Sequence, residues 1–190
     1  MSEVEQDPFE KLNDAVRNCA RCRLAETRTR TAFGEGNVHA KVMLVGEGPG
    51  HDEDLQGRPF VGRAGQLLDR MLEAIGLNRS DVYIANVVKC RPPGNRNPEP
   101  DEAEACLPFL RMQYALIRPR IIVCLGAVAA RYLIDPDIRI TRDRGKWTEK
   151  GGVWFLPTYH PAALLRDESK KREAWQDLQA LSERIKQLSE

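Results

Sequence analysis

Four short runs of apolar, largely β-branched residues recur along the chain, and segments with helical periodicity separate them. The runs lie at residues 42–45, 82–88, 121–125 and 153–156. Their length and composition are typical of buried strands. Helices are predicted at residues 8–16, 64–75, 99–117, 126–132 and 168–188. Strands that alternate with helices predict an α/β fold, with a four-stranded, mainly parallel sheet and helices on both of its faces.

Polar segments rich in turn residues follow the first, second and fourth predicted strands. They occupy residues 46–63, 89–98 and 157–166. In open α/β sheets the carboxyl ends of the strands lie at one edge, and ligands bind there. We therefore expect a site at this edge, although a solvated loop that needs glycine only for its turns would have a similar composition. Residues 46–63 are predicted to be one long loop, and residues 139–150 a further, basic loop.

The composition limits the class of protein but does not identify a binding partner. The chain has 190 residues, and we expect residues 1–190 to form a single domain. Charged residues make up 30% of the chain, and no apolar run reaches membrane-spanning length. The first residues do not resemble a secretion signal, so we expect a cytoplasmic protein without a membrane partner. The formal net charge is +1, so a nucleic-acid partner would require local clusters of Lys and Arg.

Five cysteines in a chain expected to be cytoplasmic favour metal or redox chemistry over disulfides. Cys19 and Cys22 form a C-x-x-C pair, which occurs in redox motifs, zinc sites and iron–sulfur sites. Cys90 and Cys106 lie far downstream, whereas Cys124 lies inside an apolar strand and is interpreted as a core residue. Four thiolates complete a metal site, and their spacing is equally compatible with zinc and with a [4Fe–4S] cluster. Either group would tie the N-terminal segment to the loop after the second strand.

Several motifs occur together in an order that identifies a family. They are GEGPGHDED at residues 46–54, GRPFVGRAGQLLDRML at 57–72, the asparagine within YIANVVKCRPPGNRNP at 83–98, and TYHPAALLR at 158–166. This set closely resembles family 4 uracil-DNA glycosylases, the iron–sulfur type, over nearly the whole chain. The resemblance implies a three-layer α/β/α sandwich and a DNA-repair enzyme that flips uracil out of DNA and hydrolyses its N-glycosidic bond. It also implies that Cys19, Cys22, Cys90 and Cys106 hold a [4Fe–4S] cluster.

Residues in these motifs suit the chemistry that the resemblance implies. A base must leave the duplex before it can be cleaved, and Phe60, isolated in a polar loop, can stack on it. Asn86, a lone amide in an apolar strand, can donate to and accept from the edge of uracil. His160 can hydrogen-bond uracil O2 and stabilise the leaving anion. The expected uracil-binding residues are Glu47, Gly48, Phe60, Asn86 and His160. The expected catalytic residues are Glu47, Glu53 and His160. Asp52 and Asp54 are the second candidates for the role of the two glutamates.

DNA contacts are expected from the same edge of the sheet. Leu164 and Leu165 follow the His-Pro turn on what we expect to be an exposed loop, where an apolar side chain can fill the space left by a flipped base. A local positive patch is expected from Arg63, Lys89, Arg91, Arg96 and Arg166. We expect a monomer whose partner is uracil-containing DNA, either single- or double-stranded.

Other interpretations remain open. A catalytically weak or inactive relative would bind uracil-containing DNA without cleaving it. Phe60 could instead be an apolar staple over a helix start, with no contact to a base. An enzyme that binds a nucleotide phosphate is disfavoured, because the chain has neither a GxGxxG nor a GxxxxGK[ST] pattern. His51 stands where family 4 members usually carry an acidic or other residue. We expect it to bind a phosphate if protonated, to position water if neutral, or to have no role.

Overall fold

The computed structural model describes residues 6–188 of the chain. In this part of the chain six strands form one sheet, in the order β1-β3-β2-β4-β6-β5. The strands are β1 (Glu35–Gly36), β2 (Val42–Gly46), β3 (Tyr83–Asn86), β4 (Ile121–Leu125), β5 (Thr148–Lys150) and β6 (Val153–Thr158). The four central strands run parallel and correspond to the four apolar runs of the sequence.

The predicted number of strands is wrong, because two edge strands were not foreseen. β1 pairs antiparallel with β3, and β5 pairs antiparallel with β6. These strands are two and three residues long and carry polar or small side chains. A short polar strand at an edge has one neighbour and contributes little to the core, so it leaves no apolar run in the sequence.

Helices cover both faces of the sheet. They are α1 (Pro8–Arg17), α2 (Leu24–Thr27), α3 (His51–Gln56), α4 (Arg63–Glu73), α5 (Pro100–Ile117), α6 (Ala127–Leu133), α7 (Ile140–Asp143), α8 (Pro161–Arg166) and α9 (Lys171–Gln187). Successive side chains of a strand point to opposite faces. Met43 and Val45 of β2 accordingly pack in a core with α1, α5 and α6, whereas Val42 and Leu44 pack in a second core with α4, α8 and α9.

Three segments differ from their predicted structure. Residues 46–63 contain helix α3 instead of being one loop, and the basic segment 139–150 contains α7 and β5. Residues 161–166 form helix α8 rather than an exposed loop. These helices are short, and α3 is so polar that its sequence predicts a loop. None of the helices in residues 6–188 is long and apolar enough to cross a membrane.

Candidate active site

The loops that follow β2, β3 and β6 meet around an open pocket of about 470 Å³. A volume of this size is typical of small-molecule sites. The pocket lies at the carboxyl ends of the parallel strands, where the polar segments of the sequence predicted a site. Its lining includes every residue expected to bind uracil: Glu47, Gly48, Phe60, Asn86 and His160.

Asn86 presents an unpaired hydrogen-bond acceptor to this pocket. It is the last residue of β3, lies opposite Gly46 of β2, and is only 1% exposed. Its Oδ1 is the one buried side-chain polar atom in residues 6–188 that has no hydrogen-bond partner. An unpaired buried acceptor costs about 1–3 kcal/mol, so this atom points to a ligand that donates. Gly46 keeps the space open, since a Cβ there would lie 2.5 Å from Oδ1 and 2.6 Å from Cζ of Phe60.

Phe60 and His160 form one wall of the pocket. Their rings stack with centroids 5.5 Å apart and planes inclined by 28°. Phe60 is buried and its backbone has a φ of 53°, a left-handed conformation that is uncommon for a bulky residue. The ring therefore offers a fixed aromatic surface to the pocket.

His160 is held in one tautomer by its own helix. It caps α8, and its Nδ1 accepts a hydrogen bond from the backbone N–H of Ala162 at 3.1 Å. A neutral ring whose Nδ1 accepts carries its proton on Nε2, so that N–H can donate to a ligand. Burial, and the nearby charge of Arg166, lower the pKa of His160 to about 4. The neutral imidazole is thus the form present near neutral pH.

Glu47 places a half-buried carboxylate in the pocket, which the exposed Asp52 also lines. Glu47 follows β2 directly and is half-buried in the pocket wall. Burial raises the pKa of Glu47, and the positive charge of Arg166 opposes that rise. A partly desolvated carboxylate beside a cation is suited to orienting a water molecule or facing a developing positive charge.

Glu53 and Asp54 instead accept hydrogen bonds from backbone N–H groups. Glu53 Oε1 accepts from the N–H groups of Val61 and Gly62 at 2.9 and 2.8 Å, and its Oε2 accepts from the N–H of Gly50 at 3.1 Å. Asp54 is buried, and its Oδ1 accepts from the N–H of Thr29 at 2.9 Å. Three hydrogen bonds from backbone donors give Glu53 a structural task that its position in the motif did not predict.

Arginines surround the mouth of the pocket. Arg63 and Arg166 are exposed and line it. Nη1 of Arg91 lies 3.2 Å from Nδ1 of His51, and because a guanidinium only donates, this nitrogen of His51 is the acceptor. The contact leaves the charge of Arg91 at the rim.

Two cations that were expected in the DNA-binding patch have other partners. Lys89 is 1% exposed, and its Nζ donates to Asn86 O at 2.9 Å and to Gln113 Oε1 at 2.6 Å. Its predicted place in a surface patch is therefore wrong. Arg96 lines the pocket, but its guanidinium makes two hydrogen bonds with Glu102, at 2.8 and 2.7 Å, which neutralise its charge.

Leu164 is not on an exposed loop. It is 2% exposed and packs in the core that contains α4 and α9. The expectation of an exposed side chain is wrong because residues 161–166 form helix α8, which turns this position inward. Leu165 is partly exposed and precedes Arg166, so it is the leucine of this pair that can reach a partner.

The four cysteines expected to bind metal surround one small cavity. The cavity is small, with a volume of about 10 Å³, and lies among α1, α2, α5 and the loop after β3. It is lined by Cys19, Cys22, Cys90 and Cys106 together with Val16, Arg21, Ala25, Arg28, Lys89, Ala105 and Phe109. Within residues 6–188 no three His, Cys, Asp or Glu side chains are arranged to hold a single metal ion. Cys124 is buried in β4, in agreement with its assignment to the core.

Hydrogen-bond donors face the sulfur atoms of this cysteine cavity. Arg28 Nη1 lies 3.3 Å from Cys90 Sγ, and the backbone N–H of Lys89 lies 3.3 Å from Cys106 Sγ. Burial raises the pKa of Cys90 to about 11 and also raises the pKa of Cys106. As free thiols these groups are neutral, and N–H donors of this kind stabilise the thiolates that ligate a metal.

The sequence as a whole is similar to known glycosylases. Residues 33–179 match the uracil DNA glycosylase superfamily. A type-4 uracil-DNA glycosylase of Thermotoga maritima is 46% identical over 172 residues, which cover 88% of each chain. The chain belongs to the type-4 uracil-DNA glycosylases. Two further type-4 relatives are similar: that of Archaeoglobus fulgidus, 46% identical over 92% of this chain and 94% of its own, and that of Sulfurisphaera tokodaii, 44% identical over 93% and 84%.

Two residues of this type-4 glycosylase site were not singled out in the sequence. Arg79 donates to the backbone carbonyls of Pro59 and Phe60, and Arg28 donates to Cys90 Sγ and, at 2.7 Å, to Cys19 O. Arg79 begins a single 3-10 turn, and Arg28 is the residue that follows α2. Their roles depend on contacts between segments distant in sequence, so no local spacing could reveal them.

Proposed function

We propose that this chain removes uracil from DNA by hydrolysing the N-glycosidic bond, as the names of its type-4 relatives imply. The observation that best supports the proposal is the unpaired Oδ1 of Asn86 beside the Phe60 ring. A flipped uracil brings an N–H donor and a flat aromatic face to these two groups. The unsatisfied acceptor and the aromatic wall thus suit the same small base.

Recognition begins when the target nucleotide leaves the stack. Unpairing a base costs a few kcal/mol, which contacts in the pocket must offset. Phe60 stacks on the base, and Asn86 accepts from N3–H while its amide nitrogen donates to O4. Cytosine lacks that N–H donor and presents an amine where uracil has O4, so it would leave the buried amide mispaired. Gly48 lines the pocket beside them without a side chain that would occupy the space.

Cleavage uses His160 and Glu47. The C1′–N1 bond breaks with its electron pair moving to uracil, and the Nε2–H of neutral His160 donates to uracil O2, where negative charge develops. Glu47 faces the cationic sugar and orients the water whose oxygen bonds to C1′. The proton of that water leaves through Glu47 to solvent. One well-placed donor to a developing anion is worth about 3–4 kcal/mol in comparable sites. Glu53 supports this reaction by holding the loop, and not by contacting the substrate.

DNA is held at the rim of the pocket. Arg63, Arg91 and Arg166 are placed to meet the phosphates on either side of the flipped nucleotide. Leu165, partly exposed on α8, would fill the space that the base vacates. The substrate is therefore uracil-containing DNA.

A [4Fe–4S] cluster bound by Cys19, Cys22, Cys90 and Cys106 would complete this protein. The fit rests on the four thiols around one cavity and on the N–H donors that face Cys90 and Cys106. When bound, the cluster supplies a covalent link between the segment of α1 and α2, the loop after β3, and α5. The link is structural, and no step of cleavage passes through it.

The test is an assay of uracil release from single- and double-stranded oligonucleotides with Asn86→Asp. A carboxylate in place of the amide would face uracil O4 with a like charge, so we expect excision to fall by about five- to 150-fold, equivalent to 1–3 kcal/mol. Asn37→Asp makes the same chemical change at an exposed position that does not line the pocket, and it should alter the rate less than about twofold. Unchanged excision by Asn86→Asp would contradict base reading by Asn86. A wild-type protein that binds the DNA but leaves no abasic site would support the inactive alternative.

A further inference from the structure

Phe60 has an unusual backbone conformation that the surrounding structure must maintain. Its φ is 53°, in the left-handed region. For a residue other than glycine this conformation costs about 1–3 kcal/mol, and it persists only where neighbouring groups enforce it. The direction of the Phe60 ring depends on that backbone, because the Cα–Cβ bond turns with the two adjoining peptide planes.

Arg79 makes the contacts that fix those planes. Its Nη2 donates to Pro59 O at 2.7 Å, and its Nη1 donates to Phe60 O at 2.9 Å. These carbonyls belong to the peptides on the two sides of the Phe60 Cα. One planar guanidinium therefore holds both peptides at once, which a single-point donor could not do.

The guanidinium is itself anchored to two elements of the fold. Asp69 Oδ1 on α4 accepts from Nη1 at 2.9 Å, and Glu35 Oε1 on β1 accepts from Nε at 3.2 Å. The Arg79 side chain is only 20% exposed. Gly65 of α4 also lies against this peptide, since a Cβ there would be 1.8 Å from Phe60 O. The Phe60 backbone is thus enclosed between Arg79 and α4.

We propose that Arg79 is a positioning residue that holds Phe60 in its left-handed conformation and so aims the aromatic ring at the flipped uracil. The inference rests on the proposed function, in which Phe60 stacks on the base. Arg79 acts on the base only through the peptides of Phe60. A lysine at this position would keep the charge near Glu35 and Asp69 but would lose the fork that joins the two carbonyls.

The test compares Arg79→Lys with Arg58→Lys, which is a matched control. Arg58 donates to the same carboxylate, Glu35, at 2.6 and 2.8 Å, so both variants weaken one arginine contact to Glu35 and keep the net charge. Two quantities are measured: the single-turnover rate of uracil excision and the inhibition constant of free uracil. We expect Arg79→Lys to lower the rate about ten- to a hundredfold and to raise the inhibition constant by a similar factor. Arg58→Lys should change each less than about twofold.

The same substitution in a Phe60→Ala background separates positioning from general stability. If Arg79 acts through the ring, Arg79→Lys should change excision and uracil inhibition less than about twofold once the ring is gone. Should Arg79→Lys fail to fold, Asp69→Asn provides the second test, because it leaves Arg79 in place and removes the carboxylate that orients Nη1. We expect the same pattern from it, with a smaller loss in the wild-type background.

The possible failures are distinguishable. A loss from Arg79→Lys that is equally large with and without the Phe60 ring, or no larger than that from Arg58→Lys, overturns the positioning role alone. A Phe60→Ala protein as active as wild type overturns the stacking assigned to Phe60, and this inference with it. A wild-type protein that releases no uracil overturns the proposed function itself.

Discussion

In the proposed reaction, the carboxylate of Glu47 serves catalysis, while its burial lowers the stability of the fold. Its carboxylate is half-buried, and burial raises its pKa although Arg166 opposes the rise. Only the ionised carboxylate can face a sugar cation, so we expect excision to slow as the pH falls through the raised pKa of Glu47. Because the pKa of His160 is about 4, His160 stays neutral at the start of that fall. The fall in rate on the acidic side of the pH profile should therefore report the protonation of Glu47.

Glu47→Gln should have opposite effects on activity and stability. The amide cannot supply a negative charge, so we expect at least about a hundredfold loss of excision and the disappearance of the acidic limb. The folded chain binds the Glu47 proton more tightly than the unfolded chain does, so stability falls as the pH rises through this window. Removing the charge should thus raise the free energy of unfolding at pH 7, by less than about 1 kcal/mol after solvent screening. At pH values below the unfolded pKa the gain should vanish.

Denaturant unfolding at pH 7 and below pH 4, with single-turnover rates across the same range, checks this prediction. Glu73→Gln is the matched control, since it makes the same chemical change at an exposed position of α4 that does not line the pocket. It should change neither stability nor the shape of the pH profile. A Glu47→Gln protein that is less stable than wild type at pH 7 would contradict the account of Glu47.

At the scale of elements, α3 is connected to the start of α4 through one side chain. Glu53 accepts from Gly50 ahead of α3 and from Val61 and Gly62 ahead of α4. Glu53→Gln retains one acceptor oxygen and replaces the other by a donor, which leaves backbone N–H groups unpaired. We expect a loss of about 1–3 kcal/mol in the free energy of unfolding. Excision should fall as well, because Phe60 lies in the connected loop.

Amide hydrogen exchange gives the direct measurement for this element. The N–H groups of Val61 and Gly62 should exchange faster in Glu53→Gln, whereas Glu104→Gln, a change at an exposed position of α5, should leave them protected. The two glutamates should then be distinguishable. Glu53→Gln should lower both stability and activity, whereas Glu47→Gln should lower activity alone. Unchanged protection of both amides in Glu53→Gln would refute the connecting role.

Elements built from apolar runs could be predicted from the sequence, while those built from long-range contacts could not. The four central strands follow directly from the apolar runs. Lys89 was misplaced because its type favours the surface, and only the fold supplies Gln113, 24 positions away, as a partner. Leu164 was misplaced because α8 is one short helix, whose inward face depends on α4 and α9. Glu47, Asn86 and His160 were predictable because they lie at or just after strand ends, and Phe60 because it is an isolated aromatic residue in a polar segment.

At the scale of the whole molecule, the cysteine cavity joins parts of the chain that the sheet does not connect. Cys19 and Cys22 belong to the segment between α1 and α2, Cys90 follows β3, and Cys106 lies on α5. Apolar packing also holds α1, through Leu12 and Val16. Arg28 binds Cys90 Sγ and two backbone carbonyls of this segment, those of Cys19 and Arg17. The N-terminal segment is thus fixed by packing, by one arginine and, in the proposed protein, by the cluster.

Metal content and stability should change together when this link is broken. We expect purified protein to be brown and to contain about four irons per chain, because four thiolates meet at one cavity. Cys106→Ser should lose iron and lower the melting temperature, since metal binding contributes directly to folding. Cys124→Ser is the control: Cys124 is buried in β4, so its substitution should leave the iron content unchanged even if packing weakens.

Iron loss should also make residues 18–30 more susceptible to protease than the pocket loops. Stoichiometric zinc without iron in anaerobically purified protein, or full iron in Cys106→Ser, would contradict the assignment.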